Sequence, residues 1–214
     1  GWRKGGRGYV KTLVDPDLDH LLELTRSAST LKDKILYRYF YEQRKCFALD
    51  FDDLVYFALH ILNSSREVLE KWQKRLEYIM VDEFQDIDKD QYALAELLSG
   101  YHKNLFVVGD PDQTIYTWRG ANVNFILEFP SRHPGATTIY LNENYRSTPQ
   151  ILAASNALIG KNRDRLEKQL TAVRKDDRKP LYFHAKTSAL EADWVTANMR
   201  ALHEGEEALS YSDM

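Results

Sequence analysis

Tyr78-Ile79-Met80-Val81, running directly into Asp82-Glu83, and Leu105-Phe106-Val107-Val108, running into Gly109-Asp110-Pro111-Asp112-Gln113, are the two stretches whose reading decides the fold. Both are short and continuously apolar, the pattern of a strand buried on both faces. Between them, Gln91 to Leu98 repeats its apolar residues at helical spacing. A strand, a helix and a second strand in that order predict parallel pairing. The polar residues that follow each run then fall at the carboxyl edge of a sheet, where open α/β folds collect their ligands.

Downstream, the alternation continues. Asn122 to Phe129 reads as helix, Thr137 to Leu141 as strand, Thr148-Pro149 as the opening of a helix to Leu158, Leu181 to His184 as strand, and Ala189 to His203 as a long amphipathic helix. A break is expected across Phe129 to Gly135, where two prolines and a glycine interrupt the pattern. Lys161 to Lys179, with eight basic and four acidic residues, reads as a solvated loop. Upstream the chain is helical. Asp15-Pro16 caps a helix bearing Leu18, Leu21 and Leu22; a second follows Thr30 with Leu31, Ile35, Leu36, Tyr39 and Phe40 inward; a third follows Asp50 with Phe51, Leu54, Val55, Ala58 and Leu62 on one face. The predicted class is α/β, with parallel sheet pieces flanked by helices and an all-helical N-terminal segment.

Of 214 residues, 43% are hydrophobic and 29% charged, which excludes wholesale disorder. A net charge of −3 excludes a polycation that coats nucleic acid along its whole length, so any such contact is local. A single cysteine, Cys46, cannot close an internal disulfide, and it reads as a small buried hydrophobe in a reducing, cytoplasmic setting. No apolar stretch approaches the ~18 residues of a membrane span.

Adjacent carboxylates at Asp82 and Glu83 suit metal-assisted phosphoryl chemistry: Asp82 takes the metal, and Glu83 orients and deprotonates a water. The competing reading is a solvated acidic turn, preferred for Asp86, Asp88 and Asp90, with Asp86 or Asp88 capping the next helix. Gln113 can accept from water and donate to a terminal phosphate, or belong to an ordinary Asp-Pro turn. Tyr116 and Trp118, two apart in extended backbone, can offer a stacking platform to unpaired bases, or be buried under the sheet edge. Arg146, just before a helix N-terminus, can clamp phosphate or sit in a surface ion pair, and Tyr145 beside it can stack on a purine.

Taken together, Val81-Asp82-Glu83-Phe84-Gln85-Asp86, the thirteen residues Gly109 to Ala121 and Asn144-Tyr145-Arg146-Ser147 resemble motifs II, III and IV of the UvrD/Rep/PcrA-like superfamily 1 DNA helicases. Asp50-Phe51-Asp52-Asp53-Leu54 resembles the segment before motif II, and Ile151 to Ile159 the helix after motif IV. The resemblance implies an ATP-dependent DNA helicase or translocase, moving 3′ to 5′ on single-stranded DNA or a duplex with a single-stranded tail. It assigns Asp82 to Mg²⁺, Glu83 to the hydrolytic water, and Gln113 to coupling between the γ-phosphate and DNA. Tyr116 and Trp118 go to base stacking, Tyr145 to adenine, Arg146 to charge stabilisation in the transition state, and Arg119 to the junction of nucleotide and DNA sites. Gln85 is expected to tie motif II to motif III. Pro111 and Thr117 depart from the common pattern of the family.

No phosphate-cradling GxxxxGK[ST] occurs in these residues; the nearest approach, Gly1 to Gly6, is followed by Arg7-Gly8 in place of the lysine and hydroxyl. The chain is therefore expected to be an internal piece of a longer helicase: residues 1–45 the end of helical subdomain 1B, 46–131 the later part of RecA-like domain 1A, and 132–214 the first half of 2A. On its own it is expected to be inactive. The open alternatives are a non-catalytic single-stranded DNA or protein-binding module derived from a helicase, and part of a helicase-nuclease subunit.

Overall fold

The computed structural model describes residues 17–162, 165–175, 179–205 and 208–214. The expected Asp15-Pro16 cap and the glycine-rich Gly1 to Gly8 lie outside the described residues. Two compact units are present: one contains the described residues up to Thr138 together with Arg165 and Leu166, the other the remaining described residues from Ile139 onward.

The first unit begins with α1 (Leu18–Ser27), whose cap is Asp17, accepting from the backbone N–H of His20. Helix α2 (Leu31–Lys45) starts at Thr30 as expected, since the Thr30 hydroxyl accepts from the Asp33 N–H. It packs on α1 and buries Phe40. Leu31, Ile35 and Tyr39, expected inward, are exposed, because among the described residues α1 alone packs extensively on α2 and covers only part of its apolar face. Cys46, expected buried, is exposed at the end of α2.

Helix α3 (Phe51–Ser64) is fixed by a capping box: the Asp53 N–H donates to Asp50 and the Asp50 N–H donates back to Asp53. Asp53 is fully buried, and its carboxylate also accepts from Gln43 at 2.6 Å. Phe51 and Leu54 are exposed rather than inward, while Leu62 is buried. Helix α4 (Arg66–Arg75) was not legible in the sequence. Its apolar residues Val68, Leu69 and Trp72 share one face but stand among many charged ones, and it is also held by a Ser65 cap, the Arg66–Glu70 pair and a bond from Gln73 to the Leu97 carbonyl.

Strands β1 (Ile79–Val81) and β2 (Leu105–Val107) pair in parallel with Ile79 opposite Leu105 and Val81 opposite Val107. Helix α5 (Lys89–Ser99) links them, and of the two acids proposed as its cap, Asp88 serves, in a capping box with Gln91. Met80 and Phe106, paired on one face, are exposed. The expectation of burial on both faces therefore fails: the core lies on one side, and among the described residues no comparable cluster covers the other. That core is Phe84, Ile87 and Phe125, flanked by Val81, Tyr92, Val107, Ile126 and Phe129. Tyr92 stacks on Phe125 with centroids 4.3 Å apart, and Phe129 meets Phe84 edge-on at 5.7 Å. Instead of one helix over Asn122 to Phe129 there are two turns, α6 (Asn124–Leu127) and α7 (Phe129–Arg132), with Pro130 in the first turn of α7 where no N–H is needed. The break expected from Phe129 starts only after Arg132.

In the second unit, β3 (Glu143–Asn144) pairs in parallel with β4 (Thr171–Ala172), and α8 (Pro149–Ile159) packs on β4. Helix α9 (Ser188–Glu204) starts at a Thr187 cap. Thr137 to Leu141 and Leu181 to His184 are not strands. A strand exists only by pairing, and apolar side chains at Ile139, Leu141 and Leu181 remain exposed without it. Phe183 instead stacks on Trp194 of α9, with centroids 4.6 Å apart. Lys161 to Lys179 is not simply a solvated loop either, since it supplies β4 and the largely buried Arg165. The architecture is α/β, helix-rich, with short parallel sheet pieces.

Phe84 is the fully buried centre of the first unit's core. Phe84→Ala is expected to cost about 3–5 kcal/mol in urea denaturation, from lost transfer energy plus the cavity. A loss below about 1 kcal/mol would mean that the core is not centred there.

Candidate functional site

Val81 ends β1, and the next residues reverse the chain. Glu83 has φ 51° and ψ 41°, left-handed backbone that non-glycine residues rarely adopt. That turn lets the Phe84 N–H donate to the Val108 carbonyl at 2.9 Å while its ring enters the core. Asp82 and Glu83 stay exposed, and Asp82 Oδ1 accepts from the Glu83 N–H at 2.8 Å.

Behind them lies Gln85, which is only 1% exposed. Its Nε2 donates to Glu83 Oε2 at 2.8 Å, and its Oε1 accepts from the Asp110 N–H at 3.0 Å. The Asp110 carboxylate accepts from the Asp112 N–H through Oδ1 and from Gln113 Nε2 through Oδ2, at 2.9 and 2.8 Å. Glu83 and Gln113, expected to act on one triphosphate, thus stand at the two ends of a single hydrogen-bond chain, Glu83–Gln85–Asp110–Gln113. Gly109 makes the approach possible, because a Cβ there would lie 2.5 Å from Gln85 Oε1 and 3.0 Å from the Phe84 nitrogen.

Beyond the 3₁₀ turn Pro111–Gln113, Tyr116 and Trp118 come together in a second 3₁₀ turn, Thr117–Arg119, closed by Gly120 at φ 103°. The extended backbone assumed for this pair is not present. The rings nevertheless neighbour one another, with centroids 6.3 Å apart, and both are exposed, Trp118 by 78%. They are not buried under the sheet edge. The Arg119 guanidinium carbon lies 5.7 and 5.8 Å from the two ring centroids, within cation–π range.

In the second unit, Asn144 at the end of β3 accepts from the N–H groups of Arg146 and Ser147, which turns the chain into α8. Tyr145 is exposed and donates to Glu143 Oε2 at 2.8 Å, a bond that holds its phenol above the usual tyrosine pKa. Arg146 is exposed, and its carbonyl accepts from Arg174 at 2.8 Å.

Among the described residues no cluster of three or more His, Cys, Asp or Glu could hold a metal ion by itself. A hard divalent cation such as Mg²⁺ does not need one, since it is commonly held by one or two carboxylates plus substrate phosphates and water. Asp82 fits that donor set: its carboxylate has about four lone-pair sites, and the Glu83 N–H uses one. Two residues of the site escaped the sequence reading. Asp110, the hub of the turn, carried a signal in its position before Pro111, where an acid caps a turn. Arg165, which meets Asp112, carried none.

The parallel strand pair carries its carboxylates, the buried Gln85 amide and the exposed Tyr116–Trp118 pair in the turns that follow its strands, the arrangement of an open α/β fold. The model of the UvrD/REP helicase N-terminal domain matches residues 12–134, and that of the UvrD-like helicase C-terminal domain matches residues 139–213. The chain belongs to the UvrD/REP helicase family. It is 41% identical over 172 residues to the ATP-dependent DNA helicase PcrA of Leuconostoc citreum, covering 80% of this chain and 23% of that protein. It is 47% identical over 148 residues to the PcrA of Staphylococcus aureus, covering 69% and 20%. The chain thus spans about a fifth of the length of these relatives. No helix of the described residues is long and apolar enough to cross a membrane.

Gly109→Ala is expected to force Gln85 off its partners and to destabilise the first unit by roughly 1–3 kcal/mol. An unchanged urea midpoint would show that the relay has slack. At alkaline pH, Glu143→Gln is expected to lower the titration midpoint of Tyr145, because the raised pKa comes first from the Glu143 bond. An NMR titration of labelled tyrosine in which that midpoint stays put would remove the bond.

Proposed function

We propose that this chain is a piece of an ATP-dependent DNA helicase that translocates 3′ to 5′ on single strands, and that it carries residues for both hydrolysis and strand contact. The observation that carries the reading is the chain of bonds from Glu83 to Gln113, with Tyr116, Trp118 and Arg119 a few residues further on. One buried amide thereby couples the residue assigned to the hydrolytic water with the residue assigned to the terminal phosphate.

Asp82 is the residue that would hold Mg²⁺, which supplies neutralisation of phosphate charge when bound. Glu83 orients the attacking water and accepts its proton. Its Oε2 is occupied by Gln85, so Oε1 is the oxygen that faces the water. Gln113 donates its amide to the γ-phosphate, exchanging its bond with Asp110 for one to substrate. Tyr145 stacks on adenine, and Arg146 stabilises the charge that develops as the phosphate is transferred. Tyr116 and Trp118 stack on successive bases without reading sequence, while Arg119 links them to the nucleotide site. Without a GxxxxGK[ST] lysine to neutralise the phosphates, these residues alone do not turn over ATP.

In the longer protein, Glu83→Gln is expected to lower ATP turnover by about 10²–10⁴-fold while ATP still binds, as measured by steady-state hydrolysis and nucleotide titration. Trp118→Ala is expected to weaken single-stranded DNA binding by about 1–3 kcal/mol. Parent-level turnover in the Glu83 variant would defeat the hydrolytic reading, and unchanged DNA affinity in the Trp118 variant would defeat the stacking one.

A further inference from the structure

The turn that presents Gln113 is held from a second direction. Asp112, in the middle of that turn, has a side chain only 9% exposed, and it accepts from Arg165 at 3.0 Å. The Arg165 side chain is itself only 16% exposed, and the two residues stand 53 apart in sequence. Exposed ion pairs order little. A pair withdrawn from water is different, because its desolvation is offset only when the geometry is good, so each partner fixes the other.

The consequences fall on one short segment. The Asp112 N–H donates to Asp110 Oδ1, and Gln113 Nε2 donates to Asp110 Oδ2. Asp110 is anchored through its own N–H by Gln85. The three-residue turn is therefore pinned at its start by a buried amide and in its middle by a guanidinium. Gln113 is the next residue after the second pin. A guanidinium, planar and permanently charged, suits this use better than a mobile ammonium.

We propose that Arg165 is a positioning residue for Gln113: acting through Asp112, it fixes the turn so that the glutamine amide meets the terminal phosphate in one orientation. This inference rests on the proposed function and extends it to a residue outside the segments that carry the family resemblance. Arg165 touches no reacting atom. Its loss leaves the nucleotide contacts of Asp82, Tyr145 and Arg146 in place and loosens only the group that reports on the phosphate.

The test uses the longer protein with Arg165→Ala, Asp112→Asn, the double variant and Arg165→Lys, with Glu83→Gln alongside as the control on the hydrolytic reading. DNA-stimulated kcat, basal kcat, KM for ATP and melting temperature are measured for each. Arg165→Ala and Asp112→Asn are each expected to lower DNA-stimulated kcat by about ten- to a hundredfold, the scale of a small misplacement at a reacting centre. KM is expected to stay within about twofold, since ground-state binding is not what is lost. The double variant should match the singles, because both remove one interaction. Arg165→Lys, which keeps the charge, should recover part of the loss and so separate positioning from a folding defect. The proposal is overturned by stimulated turnover in Arg165→Ala at the parent level, by losses that add in the double variant, or by a loss shared equally by KM and melting temperature. Should Glu83→Gln retain full turnover, the hydrolytic assignment itself fails, an outcome readable separately from the Arg165 series.

Discussion

The candidate site depends on one buried side-chain amide. Gln85 donates to the carboxylate that follows β1 and accepts from the backbone that follows β2, joining two turns whose strands already lie in register. Strand pairing sets the distance between the turns, and the amide sets their angle. An ionisable group could not do both at this depth, because a carboxylate only accepts and an ammonium only donates. A buried charge would also need a full counter-charge. A neutral amide does both, donating to the Glu83 and Asp86 carboxylates and accepting from the Asp110 N–H.

That amide is accessible to its partners because of two neighbours with opposite properties. Phe84 fills the core under the sheet and leaves no room for Gln85 to turn inward. Gly109 leaves a gap at the point of closest approach, where any side chain would collide with the Gln85 oxygen. The left-handed backbone at Glu83 is the local cost of the arrangement, of order 1–3 kcal/mol for a non-glycine residue. It is tolerated because the residues on either side are locked, Val81 in the ladder and Phe84 in the core. The strained residue itself stays exposed, with one carboxylate oxygen held by Gln85.

Much of this was legible in the sequence, and the parts that were not share a cause. β1 and β2 could be read because each is a dense apolar run with an abrupt polar end, and the starts of α2, α3 and α8 because Thr30, Asp50 and Thr148-Pro149 stand where a helix must open. Helix α4 has a narrow apolar face of Val68, Leu69 and Trp72 that its many charged residues mask, and a serine cap, an ion pair and a glutamine bond to α5 add to it without any periodic trace. Thr137 to Leu141 carries strand composition, yet composition describes a residue's fitness for a sheet and not the presence of a neighbour to pair with. Tyr116 and Trp118 were paired for the wrong backbone reason, and their exposure came from the 3₁₀ turn. Arg165 was hidden in a charged tract that composition alone assigns to solvent, because a contact made 53 residues away has no local signature.

The same reasoning explains why the charged groups of the site divide into two kinds. Asp82, Glu83 and Arg119 are exposed, so water solvates each and little reorganisation opposes a new partner. Asp112 and Arg165 are largely withdrawn from water and already paired with one another. A group that must exchange partners during a reaction cycle is poorly served by burial, since leaving its partner would expose the full desolvation cost. A group that must hold a turn still is well served by it. Burial therefore divides the labour among the charged residues of one short region. Under the proposed function the solvated ones engage phosphate, metal or base, and the enclosed ones hold the frame against which that engagement has a direction. Gln113 lies at the border, an exposed amide on a turn that two buried contacts fix, and so can trade its bond to Asp110 for another without the turn moving.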